Sequence, residues 1–170
     1  MQAIRLFIYH TNEDDPKKCS AKKLEKFKYA TLEKQMRRLP SHLLLLDPYA
    51  EKSLSPEDIE YAGAHGLLAI DCSWKSAEST FHRLEHHHVP RALPFVVAAN
   101  PVNYGKAFKL TTLEALATAL YILNDTDQAK RLLSLYKWGP HFLTLNKEPL
   151  EDYRTSQTST ELIRKMNQYL

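Results

Sequence analysis

Short apolar segments alternate with helical signals from residue 3 to residue 99, and this alternation limits the fold more than any other feature. Four such segments have the length of strands in a buried sheet: residues 3–10, 42–46, 67–72 and 93–99. Helices are predicted between them, and residues 31–39 are expected either to extend the first of these helices or to form a turn. Ser55 with Pro56 marks a strong helix start. Strands that alternate with helices predict a parallel sheet with helices on its faces.

Only helical signals follow Thr111, which forms a capping box with Glu114. Leucines and alanines then recur at helical spacing over residues 113–120. A further helix is predicted over residues 127–136 with Gly139 as its cap, and a last one over residues 160–170. We therefore predict an α/β fold with two domains. Residues 1–92 form an N-terminal domain with the parallel sheet, and residues 93–170 form a mostly helical C-terminal domain.

The loop of residues 100–109 joins the fourth predicted strand to the helix that starts at Thr111. Open α/β sheets bind ligands where a loop leaves the carboxyl end of a strand. The amide groups at such a helix start favour a carboxylate or a phosphate. An ordinary strand-to-helix connection would show the same pattern, so both interpretations stay open.

Several familiar sites are excluded by the residues themselves. The four glycines form neither a GxGxxG fingerprint nor a phosphate-binding P-loop. There is no GxSxG or HExxH motif, and the eight histidines have no zinc-ligand spacing with the two cysteines, so we expect no metal. Two cysteines without a CxxC pair indicate a reducing, cytoplasmic compartment. Neither a membrane-spanning apolar run nor a signal-peptide pattern occurs.

Lysines and arginines concentrate in residues 17–38, although the formal net charge of the whole chain is only +3. A basic patch on a nearly neutral protein predicts a polyanionic partner such as a nucleic acid. The alternative is a solvated helix face, which is the more common explanation for a run of charges alone.

Polar residues follow each predicted strand, where a parallel sheet would gather them at one edge. Asp71 beside Trp74 is the most interesting pair, because a carboxylate next to an indole ring could act as a general base beside a stacked ligand. The alternatives are that Asp71 is the N-cap of the next helix and that Trp74 packs in the core. The full set is Asp14, Cys19 and Ser20; Asp47; Asp71, Ser73 and Trp74; Asn100, Asn103 and Tyr104.

Five segments, in order along nearly the whole chain, resemble the small-subunit rRNA aminocarboxypropyltransferases. The absence of long charged tails resembles the archaeal rather than the eukaryotic members. The segments are DPKKCSAKKL at 15–24, LLDPYAEKSLSPED at 45–58, GLLAIDCSW at 66–74, RALPFVVAANPVNYGKAFKLTTLEALATALYI at 91–122 and WGPHFLTLN at 138–146.

The resemblance implies more than the spacing does. Members of this family use S-adenosylmethionine and transfer its 3-amino-3-carboxypropyl group, instead of its methyl group, to N3 of pseudouridine or N1-methylpseudouridine in small-subunit rRNA. The implied fold is SPOUT-like with a deep trefoil knot, a feature that no sequence pattern predicts. The helical domain would complete the cofactor site. The implied partner is small-subunit rRNA or the pre-ribosomal small subunit, and the protein would act in the cytoplasm as a monomer.

The resemblance also assigns residues. Asp71 is the expected general base, with a structural role as the alternative, and Trp74 is the expected wall of a pocket that holds the methyl group. Ala21 departs from the family, which usually has glycine there, and it would be strained if that position needs positive φ. The expected cofactor-binding residues are Ser20, Ile70, Asp71, Ser73, Trp74, Leu93, Phe108, Leu110 and Thr112. The expected RNA-binding residues, which lie in or beside the motifs, are Lys17, Lys22, Lys23, Arg91, Lys106 and Lys109.

Two other functions compete with this one. A SPOUT-type RNA methyltransferase would use the same cofactor but transfer its methyl group. A non-enzymatic rRNA-binding assembly factor would use the basic residues and would not bind S-adenosylmethionine.

Overall fold

A computed structural model describes residues 3–11 and 19–170, and for Trp74 it describes the backbone only. Five parallel strands form one sheet in the order β2-β1-β4-β3-β5. The central pair, β1 and β4, is in register from Leu6 opposite Leu67 to His10 opposite Asp71. The strands are β1 (Leu6–His10), β2 (Thr31–Glu33), β3 (Leu44–Leu46), β4 (Leu67–Asp71) and β5 (Val89–Arg91).

Eight α-helices surround or extend this sheet in the described part of the chain: α1 (Ser20–Lys26), α2 (Ile59–His65), α3 (Trp74–Leu84), α4 (Thr112–Ile122), α5 (Thr126–Leu133), α6 (Gly139–Leu145), α7 (Lys147–Arg154) and α8 (Ser159–Met166). Short 3-10 helices lie at Met36–Arg38, Pro56–Asp58 and Asn167–Tyr169. The predicted α/β class, with a parallel sheet and flanking helices, is therefore confirmed. Among the described residues no helix is long and apolar enough to cross a membrane.

Alternating side chains of the strands pack on the two faces of the sheet. Leu67 and Ala69 face a large apolar cluster that includes residues of α1, α4 and the later helices. Leu68 and Ile70 face a smaller cluster that includes residues of α3. Because side chains alternate along a strand, Asp71 continues the Leu67 and Ala69 series on the α1 and α4 face.

The strand predicted over residues 93–99 is wrong. The parallel strand at that edge is β5, and the following segment is extended but unpaired, apart from a bridge of Ala92 to Ser53 and an antiparallel bridge of Val97 to Ala107. Its backbone is bonded mainly by side chains. Asn146 accepts from the Val97 amide at 2.8 Å and donates to the Val97 carbonyl at 2.9 Å, as a neighbouring strand would. The apolar composition of this segment therefore predicts its burial correctly but does not predict strand pairing.

Three other local predictions are also corrected. Residues 31–39 were expected to continue a helix or form a turn, but Thr31–Glu33 is the edge strand β2, which is too short to show a period. Helices α6 and α7 were not predicted. Gly139 was expected to cap the preceding helix, but it begins α6, where a Cβ atom would lie 1.8 Å from the Leu133 carbonyl oxygen.

Candidate functional site

Three polar side chains meet at the carboxyl edge of the two central strands. The Sγ atom of Cys19 donates to Oδ2 of Asp71 at 3.0 Å, and Nε2 of His10 lies 3.2 Å from the same oxygen. His10 Nε2 also lies 3.3 Å from the Cys19 sulfur. His10 and Cys19 are buried, whereas the Asp71 side chain is 11% exposed, so the carboxylate is the member that solvent or a ligand can reach.

The sheet register explains why these residues meet. His10 and Asp71 are the last residues of adjacent parallel strands and pair directly in the ladder. Both side chains point to the face covered by α1. Cys19 is the N-cap residue of α1 and makes no side-chain capping bond to that helix. Its sulfhydryl is therefore directed to Asp71 instead.

The protonation of Cys19 decides what this cluster can do. Burial, together with the hydrogen bond to Asp71, raises the pKa of the Cys19 thiol to about 11. The ligand atoms of the three residues lie within 4.8 Å of one another, a spacing that a metal ion could use. With the thiol protonated, the three side chains form a hydrogen-bonded cluster that orients Asp71.

The start of α4 is closer to this cluster than sequence spacing suggests. Ser20 Oγ, next to Cys19, accepts a hydrogen bond of 3.2 Å from the Leu113 amide. Thr111 Oγ1 accepts from the Glu114 amide at 3.1 Å. The sequence left open whether this helix start offers its amides to an anion or is an ordinary connection; these two amides are occupied by the protein itself. Thr112 supplies the remaining amide of the first turn.

The loop of residues 100–109 is held by Glu114, which is fully buried. Its carboxylate accepts from the amides of Ala99 at 2.7 Å and Asn100 at 3.2 Å, and from the Asn100 side chain at 2.7 Å. Asn100 also donates to the Lys109 carbonyl at 3.2 Å. Asn100 was singled out as a polar residue at a strand end, but it follows no strand and instead fixes this loop.

The predicted cofactor-binding residues belong to several elements, and hydrogen bonds link part of the set. Ser20 and Asp71 are linked through Cys19, and the Ser20 bond to Leu113 places Thr112 next to them. Phe108 has a φ of 60° and is 55% exposed, and its ring packs edge-on against Phe95 at 5.9 Å. Half-buried Ile70, Ser73, Leu93 and Leu110 complete the described members.

Two uncertainties of the sequence interpretation are settled here. Ser73, and not Asp71, is the N-cap residue of α3, so helix capping does not explain Asp71. Ala21 lies inside α1 and is absent from the residues with positive φ, so the alanine is not strained. The side chain of Trp74 and all of Asp14 lie outside the part that the structure describes.

Asp47 is a second buried carboxylate at this edge of the sheet, directly after β3. It is 1% exposed, and its Oδ1 accepts from the Tyr49 amide at 2.8 Å. Burial raises its pKa to about 6, and the nearby Glu85 carboxyl adds to that shift. The Oδ2 atom of Asp47 has no hydrogen-bond partner among the described residues.

The predicted RNA-binding cations differ in their surroundings. Lys106 and Lys109 are exposed on the loop, and Lys22 is half-buried on α1. Lys23 Nζ lies 4.1 Å from the ring centroid of Tyr136. Arg91 Nε lies 3.2 Å from the buried carboxylate of Asp58, which favours a structural role for that guanidinium. Lys17 lies outside the described residues.

Sequence reasoning did not assign any role to His10, and it named Cys19 only as a polar residue after a strand. The usable signal for His10 was its place as the last residue of an apolar strand, opposite the end of another strand that carries a carboxylate. That pairing depends on strand order, which the alternation of strands and helices does not specify.

Two family models match the chain. The model described as "Ribosome biogenesis protein, C-terminal" matches residues 44–170. The model described as "Possible Fer4-like domain in RNase L inhibitor, RLI" matches residues 4–37. The latter segment contains one cysteine, Cys19, whereas an iron–sulfur cluster is usually held by four. This second match is therefore a similarity of sequence only, because the matched segment lacks the cysteines that would hold an iron–sulfur cluster.

Similar proteins cover almost the whole chain. The 16S rRNA aminocarboxypropyltransferase of Methanosarcina mazei is 46% identical over 168 residues, which are 98% of this chain and 95% of that protein. The protein of the same name in Methanocaldococcus jannaschii is 46% identical over 166 residues, with 98% and 96% covered. A solved structure described as the SAM-dependent rRNA:acp-transferase Tsr3 from Vulcanisaeta distributa is 39% identical, with a TM-score of 0.88 and coverage of 99% and 96%.

Proposed function

Because the chain belongs to the family of the 16S rRNA aminocarboxypropyltransferases, we propose that it is the enzyme that modifies small-subunit rRNA with S-adenosylmethionine as donor. The group transferred is 3-amino-3-carboxypropyl, and the acceptor is N3 of a pseudouridine or N1-methylpseudouridine. The observation that carries this proposal is the similarity over 98% of the chain, at 46% identity, to proteins named for this activity.

The residues at the sheet edge fit S-adenosylmethionine. Half-buried Ile70, Leu93 and Leu110, with the exposed ring of Phe108, supply apolar surface for the adenine and the carbon chains. When bound, S-adenosylmethionine supplies a sulfonium with three electrophilic carbons, and the protein selects one by exposing it to the acceptor. Trp74 stays our candidate for the side chain that shields the methyl group.

Asp71 is proposed to accept the proton of the acceptor N3–H. A uridine-like N3–H has a pKa of roughly 9 to 10, so a positioned base would assist its removal at neutral pH. Cys19 donates to Oδ2 and His10 Nε2 lies beside the same oxygen, and these two contacts hold the carboxylate plane. Oδ1 is then the oxygen directed to the proton. His10 and Cys19 act as positioning residues in this proposal.

The RNA is proposed to approach over the cations beside this edge. Lys22, Lys106 and Lys109 carry exposed or half-exposed charge next to the cofactor-binding residues, and Lys23 lies on the same short helix as Lys22. Positive charge at the mouth of the site neutralises phosphates and steers the RNA toward Asp71. The division at residue 92, the monomeric state and the cytoplasmic location remain parts of the proposal.

A SPOUT-like, deeply knotted fold is also part of the proposal. Supporting it is the strand order, in which β4 is inserted between β1 and β3 while all strands stay parallel. Such an order needs crossover connections over the faces of the sheet, and a knot would result if the segment after β5 passes through one of them.

Two measurements test the function. Isothermal titration with S-adenosylmethionine separates an enzyme of this type from a non-enzymatic assembly factor, which would give no binding heat. Mass analysis of rRNA after reaction separates the two transferases, because an aminocarboxypropyl group adds about a hundred mass units and a methyl group about fourteen. A gain of about fourteen would replace this proposal with an RNA methyltransferase.

A further inference from the structure

A basic cleft lies on the side of the sheet opposite to α4, between residues 35–41 and the carboxyl end of α3. Its volume is about 840 Å³. None of its lining residues is acidic. They are Tyr9, Gln35, Met36, Arg37, Leu39, Ser41, Arg83, Leu84 and His86–His88. We propose that this cleft, called here the α3 cleft, binds a single-stranded segment of the rRNA that flanks the modified nucleotide; this proposal rests on the proposed function.

The charge of the cleft fits a phosphate backbone. Arg37 and Arg83 are both exposed, and neither takes part in an ion pair among residues 3–11 and 19–170. Arg37 Nε donates to the Gln35 side chain at 2.9 Å, which leaves its charge uncompensated. Glu85, which follows Leu84 in the chain, is not among the lining residues. Single-stranded nucleic acids are typically bound by such uncompensated cationic grooves.

The floor of the cleft fits nucleobases. Tyr9 and Met36 are half-buried and pack on the smaller apolar cluster, so they are held in place and still line the cleft. An aromatic ring and a polarizable thioether are surfaces on which bases of any sequence can stack. A cationic rim above such a floor is the combination that single-stranded binding sites share.

One wall of the cleft is rigid because His88 is structural. Its Nδ1 accepts from the Leu43 amide at 3.1 Å, and burial lowers its pKa to about 4, so it stays neutral. His86 and His87 are exposed beside it and add hydrogen-bond donors at the rim. This wall is therefore tied to Leu43, the residue before β3, and the polar groups that can adapt to RNA lie at the surface.

The α3 cleft is separate from the proposed transfer site. His10 and Asp71 point to the α4 face, and the cleft shares none of its lining residues with the predicted cofactor-binding or RNA-binding residues. Contacts on both sides of the β-sheet would anchor an RNA segment that continues past the reacting nucleotide. Such backbone contacts position the RNA without reading its sequence.

The test uses the charge reversals Arg37→Glu and Arg83→Glu together, in the full chain. The probe is a fluorescent oligouridine of about 12 nucleotides, whose affinity is measured by anisotropy over a range of salt concentrations. We expect affinity to fall about tenfold at low salt, and the slope of log K against log salt to fall by about 1.4, as for two lost phosphate contacts. S-adenosylmethionine affinity should equal that of the wild type, which also reports correct folding.

The matched control is Lys130→Glu with Arg131→Glu on α5, which changes net charge by the same amount at exposed positions outside the cleft. It should leave the slope nearly unchanged. Equal losses in both variants would mean a general charge effect and would overturn the cleft. Wild-type affinity in the cleft variant would also contradict the proposal that this cleft binds RNA, and so would a wild-type protein that does not bind oligouridine. The proposed function is tested separately, by titration of S-adenosylmethionine and the mass of the rRNA product.

Discussion

Cys19 donates a hydrogen bond of 3.0 Å to Asp71, a residue 52 positions later in the chain. The thiol is buried and protonated, and the carboxylate is the exposed partner. This relationship makes Cys19 a fixed support for Asp71 and not a nucleophile, because a nucleophilic cysteine needs a lowered pKa. It also connects the start of α1 to the end of β4, the two elements at the centre of the proposed transfer site.

Asp71→Asn should separate chemistry from binding. Asparagine keeps the shape of the side chain but cannot take up a proton at neutral pH. We expect S-adenosylmethionine affinity within a few-fold of wild type and single-turnover transfer lower by about 10²- to 10⁴-fold. Part of the rate should return at high pH, as hydroxide deprotonates the acceptor. Asp127→Asn, exposed on α5, is the control and should change neither quantity. Wild-type turnover in the Asp71→Asn variant would show that the Asp71 carboxylate takes no part in the mechanism.

Cys19 should react slowly with iodoacetamide. With a pKa of about 11, only about one thiol in a thousand is ionised at pH 8. Asp71→Asn removes the carboxylate that helps to raise this pKa, so the labelling of Cys19 should become faster, although burial keeps it slow. Peptide mass mapping measures the rate for Cys19 separately from that for Cys72. Slower or equal labelling in the variant would show that the carboxylate does not act on the thiol.

Glu114→Gln should destabilise the protein. The buried carboxylate accepts from five donors on Ala99, Asn100 and Thr111. Glutamine replaces one oxygen with an NH₂ group, so at least two of these donors lose their acceptor. We expect a loss of about 2–4 kcal/mol in the free energy of unfolding, measured with urea. Glu161→Gln, at the same position of the exposed helix α8, should cost far less. Equal losses would contradict the structural role assigned to Glu114.

Asp47→Asn should change how stability depends on pH. Asp47 has a pKa of about 6 in the folded protein, above the value near 3.9 of an unfolded aspartate. The folded state therefore binds the proton more tightly, and this group's contribution to stability is lost as pH rises from about 4 through 6. The cost at pH 8 is about 2–3 kcal/mol. Asparagine has no such cost, so the variant should gain stability relative to wild type as pH rises. A constant difference between pH 4 and pH 8 would refute the raised pKa.

Local signals predicted the helices well where a few neighbouring residues determine them. Thr111 and Glu114 form the predicted capping box, and Ser55 forms the predicted cap with Asp58. These predictions succeed because the partners are three residues apart. The strand expected at residues 93–99 failed for the opposite reason, since Asn146, which bonds Val97, lies 49 residues away. An apolar run alone does not specify which groups satisfy its backbone.

The α/β class, the start of α4 and the family could be predicted from the sequence alone, because they depend on local pattern and on motifs that can be read in order. The sequence also placed Asp71 at a strand end. Only the tertiary structure joined His10 and Cys19 to Asp71 and closed the start of α4 with Ser20. Those contacts depend on β1 pairing with β4 and on α1 packing against α4. Strand order and packing arise from burial of the whole core, so no short stretch of sequence encodes them.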